Sequence, residues 1–140
     1  MSRPLLRILV LATAVGLQPL SSAAASPDWN AAATTDTVQV ITKNQDGTLK
    51  TTTVWLAVVD GQGYIRTGNT RWWANIERDR DVTLRVQGSD YPLRVEVVEE
   101  PDLSQRVEDA FRAKYGWVDR ALEVVRSGSP HIMKLLPRPE

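Results

Sequence analysis

The chain of 140 residues contains no cysteine and only one histidine, one phenylalanine and two methionines. Without cysteine there is no disulfide, no thiolate nucleophile, no Cys-ligated cluster and no covalent haem attachment. A lone histidine with no cysteine beside it cannot complete a zinc set. Excess charge is missing as well, since 17 Lys+Arg balance 17 Asp+Glu. Nucleic-acid binding usually needs a clustered basic face, so that function class is not expected. No Gly-x-Ser-x-Gly segment marks a hydrolase elbow. Nor does any apolar run reach the ~20 residues of a membrane-spanning helix. The N-terminal one, 8–17, stops at Gln18-Pro19.

That short run has another meaning. Arg3 and Arg7 precede it, and Ala23-Ala24-Ala25 stands before Ser26. A basic start, a short apolar stretch and small residues at a cleavage site predict a secretory signal peptide over 1–25. The chain is therefore expected to be exported to the periplasm. It has no lipoprotein cysteine and no twin-arginine pair, so no membrane attachment is expected after cleavage. Cleavage after Ala25 leaves 115 residues with 15 Lys+Arg against 17 Asp+Glu, a net charge of −2. Domains of ~60 residues already fold alone, so one hydrophobic core suffices.

Residues 26–35 are Ala-rich and polar, and predict a flexible leader before a single domain over 36–140. The run 37–42 is β-branched and roughly alternating, hence a strand. A turn at Asn44-Gln45-Asp46-Gly47 leads to a long second strand over 48–59, polar at first and apolar on both faces from Val54 onward. After Asp60-Gly61-Gln62-Gly63, residues 64–67 form a short third strand. Asn69 or Thr70 can cap a helix reaching about Arg78. Trp72 and Trp73 are neighbours in it, and adjacent helix positions do not share a face, so one of them should point away from the core. Residues 82–87 and 91–98 read as two further strands. Asp102 and Gln105 stand at capping-box spacing for a helix ending at Gly116. A second helical stretch follows over 117–126, and a last strand over 131–136. The predicted class is α+β, mainly β. The expected architecture is a small antiparallel split barrel of about six strands, with one inserted short helix and a C-terminal helical pair.

The chemistry concentrates in 64–76. Arg66, Thr67, Asn69, Thr70 and Arg71 surround a helix start, where backbone N–H groups and guanidinium groups together suit an anion. Trp72 or Trp73 would border an aromatic ligand, although tryptophan also serves as core or interface material. Trp55 and Trp117 carry the same two readings. Thr51, Thr52 and Thr53 offer hydroxyls or simply β propensity. His131 is either structural beside Ser129 or an axial haem ligand. Lys114 is either solvated on its helix or reaches a phosphate across a subunit boundary.

Three segments carry a resemblance. They are Thr51-Thr52-Thr53-Val54-Trp55-Leu56 running to Gly63-Tyr64-Ile65-Arg66-Thr67, then Arg71-Trp72-Trp73-Ala74-Asn75-Ile76, then Asp81-Val82-Thr83-Leu84-Arg85-Val86. With the element order they resemble the FMN-binding split-barrel superfamily, that is, the pyridoxamine-phosphate-oxidase-like and deazaflavin-dependent nitroreductase-like folds. Lys114-Tyr115-Gly116 and the Leu-Pro-Arg ending look closest to a short bacterial branch of it. The resemblance implies a homodimer that holds FMN or a deazaflavin in the barrel groove. It places the phosphate on Arg66, Thr67, Asn69, Thr70 and Arg71, with Trp72 or Trp73 beside the ring. Two functions follow from it. One is a flavin- or deazaflavin-dependent oxidoreductase acting on a small ligand. The other is a non-catalytic binding or scaffold protein that has lost the cofactor, since the fuller oxidases carry a Ser-Arg-Lys segment where Asn69-Thr70-Arg71 stands here. No residue is assigned a catalytic or metal-binding role.

Overall fold

A computed structural model describes residues 26–116 and 129–139. The signal segment expected over 1–25 and the helix expected over 117–126 lie outside the described residues. The elements run α1 (Trp29–Ala32), β1 (Val38–Lys43), β2 (Leu49–Val54), β3 (Ala57–Val59), β4 (Gln62–Thr67), α2 (Arg71–Arg78), β5 (Asp81–Val86), β6 (Ser89–Val97), α3 (Pro101–Tyr115) and β7 (His131–Pro137). All described strands join one antiparallel sheet in the order β2-β1-β5-β6-β7-β4-β3. The sheet curls into a split barrel, as the sequence predicts.

Two-residue turns set the register of two hairpins. Val59 pairs with Gln62 across Asp60-Gly61, and Val86 with Ser89 across Gln87-Gly88. All four turn residues have positive φ, the type I′ geometry that matches strand twist. Strands β1 and β5 alternate buried and half-exposed, which is what a sheet with one covered face requires. By contrast, β4 is buried along most of its length. Ile65 points into the main core, while Tyr64 packs with Val107, Phe111 and Ile132 under α3. Both faces of β4 are covered, and this strand carries the candidate site.

Seven strands form where about six were expected, because the long 48–59 run divides at Trp55–Leu56. Backbone groups that leave a ladder need other partners. The end of α3 supplies them. Leu56 N–H donates to the Tyr115 hydroxyl at 3.1 Å, and Lys114 Nζ donates to the Leu56 carbonyl at 2.8 Å. The Tyr115 hydroxyl in turn donates to the Asp36 carbonyl at 2.7 Å, and Lys114 reaches the Thr35 carbonyl at 2.7 Å. Half-buried Lys114 is thus turned inward as a brace rather than extended into solvent. Burial lowers its pKa, with Asp36 partly opposing the shift, and burial raises that of Tyr115. Gly116 ends α3 with φ of 60°, as expected. The cap differs: Glu100 stands at N-cap with no side-chain bond and Pro101 follows it, so Asp102 is not the cap.

Residues 29–32, read from sequence as part of a leader, form a helical turn capped by Asp28, whose side chain accepts from Asn30 and Ala31 N–H. Trp29 and Ala32 are buried in the main core. Gly63 makes room for them: a Cβ there would lie 2.4–2.7 Å from three carbons of the Trp29 ring. Both tryptophans of α2 are buried too, against the expectation that one faces away. His131, at the start of β7, covers the outward ring of Trp73 by stacking on it at 4.0 Å and 8°.

Candidate functional site

The end of β2, the end of β4 and the start of α2 meet at one groove. It has a volume of 360 Å³ and is lined by Thr52, Thr53, Val54, Trp55, Arg66, Thr67, Gly68 and Trp72. That volume is at the lower end of small-ligand pockets, roughly 300–1,000 Å³. Trp55 is held rigid by stacking on Tyr115 at 4.1 Å and 7°. The second tryptophan of the groove, Trp72, is anchored by burial in the core. The Thr52 hydroxyl is buried with no hydrogen-bond partner among the described residues. A buried polar atom left unpaired costs ~1–3 kcal/mol, so a ligand bearing a donor or acceptor would relieve it.

Arg66 is the cation of the groove, and it is committed. Its Nη1 donates to Glu108 Oε2 at 2.7 Å, and its guanidinium lies 4.1 Å from the Phe111 ring centroid. The side chains of this pair are 3% and 17% exposed, so their charges offset one another where solvent screens little. Alternation along β4 explains the placement: Arg66 shares the α3-facing side with Tyr64 and meets α3 directly. Thr67 Oγ1 lies 3.0 Å from Thr70 Oγ1. Thr70 in turn accepts from Trp73 N–H at 3.3 Å as N-cap of α2, so of the two candidate caps, Asn69 and Thr70, it is Thr70 that is used.

The seven residues expected to hold a ligand therefore separate. Arg66, Thr67 and Trp72 line the groove together. Thr70 sits at its rim through the hydrogen bond to Thr67. Exposed Asn69 is instead hydrogen-bonded to His131, Oδ1 to Nε2 at 2.8 Å, which ties the corner loop to the start of β7. Trp73 stacks on that same histidine and is absent from the groove lining. Arg71, exposed at the first position of α2, borders a different cleft with Asn44, Gln45, Asp46, Ala74, Asn75 and Arg78. The direction of an exposed side chain at a helix start carries no signal in sequence.

Sequence reasoning missed Glu108. It lies 42 positions from Arg66, and nothing local in the sequence marks it as that residue's partner. Tyr115 was expected on the apolar stripe of its helix, where it does pack, but its hydroxyl contacts to Leu56 and Asp36 had no signal in the sequence.

A phosphorylated flavin can be tested against this donor set. The ring would be held by two rigid indoles, the unpaired Thr52 hydroxyl and the Thr53 hydroxyl. The phosphate would be held by the Thr67–Thr70 hydroxyl pair beside the start of α2. The residues fit the group, with the charge of Arg66 shared with Glu108.

Residues 28–131 match the family model described as "Uncharacterized protein conserved in bacteria (DUF2255)". Among solved structures, a conserved hypothetical protein from Mycobacterium tuberculosis is similar at 18% identity, over 84% of each chain, with a TM-score of 0.60. The heme storage protein HutZ from Vibrio cholerae is 13% identical over 75% of this chain and 83% of that one, TM-score 0.60. An F420-H2 dependent reductase is 9% identical over 72% of this chain and 94% of its own, TM-score 0.60. At these identities the likeness shows a shared fold. No curated protein matches the chain.

Proposed function

We propose that this chain, which belongs to the DUF2255 family, is an exported split-barrel protein whose groove binds FMN or a related flavin-type cofactor for oxidoreductase chemistry. The observation that carries the reading is the unpaired, buried Thr52 hydroxyl in a groove walled by Trp55 and Trp72. A flavin supplies electron and hydride transfer when bound. The chain's own residues would bind and orient it. Thr52 and Thr53 would meet polar atoms of the ring edge, the indoles would limit water at its faces, and the Thr67–Thr70 hydroxyl pair would donate to the phosphate end. A homodimer, with a second copy covering the open side of the groove, completes the proposal.

Arg66 favours a second reading. Its charge is already met by Glu108 at 2.7 Å, which suits a protein that kept the fold and binds without catalysing.

The mature protein, purified from the periplasmic fraction, separates the two. Its visible spectrum is recorded and FMN fluorescence is titrated with protein. The flavin reading expects quenching that saturates, weakened in Thr52→Val while the thermal stability of the ligand-free protein rises, since an unpaired buried hydroxyl is removed. A colourless protein that leaves FMN fluorescence untouched at micromolar concentrations removes it and leaves the binding reading. Cell fractionation and size-exclusion chromatography test export and dimerisation independently.

A further inference from the structure

The cleft that receives Arg71 is larger than the groove, 450 Å³, and the two share no lining residue. It lies between the β1–β2 turn, residues 44–46, and the outer face of α2. Its wall is built. Asn75 is 2% exposed, and its Nδ2 donates to Thr42 Oγ1 at 3.1 Å and to Asn44 Oδ1 at 3.0 Å. Thr42 is likewise buried. The amide oxygen of Asn75 accepts from Arg78 Nη2. One buried amide thus ties the hairpin to the helix and aims a guanidinium.

Arg71 and Arg78 both line this one cleft. Arg71 and Arg78 are two turns apart along α2, but Arg78 leans back to Asn75, which is one turn from Arg71. Neighbours four apart on a helix have Cβ atoms about 5–6 Å from each other. Among the described residues, neither Arg71 nor Arg78 has a carboxylate within ion-pair distance. Arg71 also stands in the first helical turn, where a cation opposes the helix dipole. An oxyanion bound there offsets both.

We propose that this cleft binds a phosphate-bearing small molecule, its phosphoryl group bridged by Arg71 and Arg78. Arginine's planar donor fork suits bidentate contact with phosphate oxygens. Asp46 also borders the cleft, fixed by Thr48 N–H at 3.0 Å and the Thr48 hydroxyl at 2.6 Å. Its carboxylate repels the anion and limits affinity.

The test titrates inorganic phosphate into the mature protein at constant ionic strength, followed by NMR of the arginine side-chain N–H signals and the Asn75 amide. Saturable shifts at Arg71, Asn75 and Arg78 are expected, with the Thr52–Trp55 signals unmoved. Arg71→Ala and Arg78→Ala should each weaken binding about tenfold or more, the effect of losing ~1.4 kcal/mol. Asp46→Asn should tighten it. FMN quenching at the groove should not respond to Arg78→Ala, so failure of one site is distinguishable from failure of the other. Linear, non-saturating shifts that chloride reproduces would overturn the proposal, as would saturable shifts unchanged by either arginine variant.

Discussion

Replacing Gly63 with alanine probes the packing of Trp29 on the sheet. The new methyl carbon would lie 2.4, 2.5 and 2.7 Å from three carbons of the indole, well inside contact distance, so the ring must move. A buried tryptophan covers ~150–250 Å². At ~25 cal/mol per Å², its full expulsion costs about 4–6 kcal/mol as an upper bound. Partial displacement of the turn recovers some of that, and about 3 kcal/mol is expected, against ~5–15 kcal/mol for a whole domain. A double-mutant cycle gives the sharper result. Once Trp29→Ala has emptied the space, Gly63→Ala should become stabilising by ~0.5–1 kcal/mol, because glycine inside a strand is entropically costly. The sign should reverse between the two backgrounds. Urea unfolding of the four proteins, followed by far-UV circular dichroism, measures it. Equal cost of Gly63→Ala in both backgrounds would refute the argument.

Three further outcomes are expected. Glu108→Gln removes the carboxylate charge 2.7 Å from the buried Arg66 guanidinium. It should lower stability by up to ~3–5 kcal/mol, the cost of breaking a buried pair, while strengthening retention of anionic ligands in the groove; calorimetry and FMN titration read the two effects. Tyr115→Phe removes the partner of Leu56 N–H and should cost ~1–3 kcal/mol in urea unfolding, with no change if that N–H finds water. Lys114 has its folded-state pKa lowered below the ordinary 10.5 by burial, so the unfolded chain binds more protons between the two values. Stability from this group is complete above about pH 10.5 and is lost as pH falls through the folded value. The urea midpoint of Lys114→Met should therefore lack a rise on approach to pH 10.5 that the parent shows.

Much of this fold was legible because local chemistry and global topology agree. Asp60-Gly61 demands a tight hairpin wherever it stands, and Thr70 caps the helix that follows it. The alternation in 82–87 already states which face is covered. What escaped depended on contacts far apart in sequence. The division of 48–59 is decided by Tyr115, whose hydroxyl takes over the backbone of Leu56. The burial of Trp29 is decided by Gly63, and here a signal existed: a lone glycine beside a strand often marks a close approach of another group. The candidate site was half legible. Arg66, Thr67 and Trp72 do come together, but the inward turn of Arg66 to Glu108 and the outward turn of Arg71 are set by α3 and by the β1–β2 hairpin.

The two outermost strands of the sheet, β2 and β3, are consecutive in the chain, and only Trp55 and Leu56 stand between them. Val54 and Ala57 are three Cα steps apart, at most about 11 Å when fully extended. The polypeptide itself is therefore a ruler laid across the gap between the sheet's ends, and Tyr115 and Lys114 clamp it at Leu56. However the barrel breathes, Val54 and Ala57 cannot part beyond that span, so the two outer strands stay tethered where they adjoin.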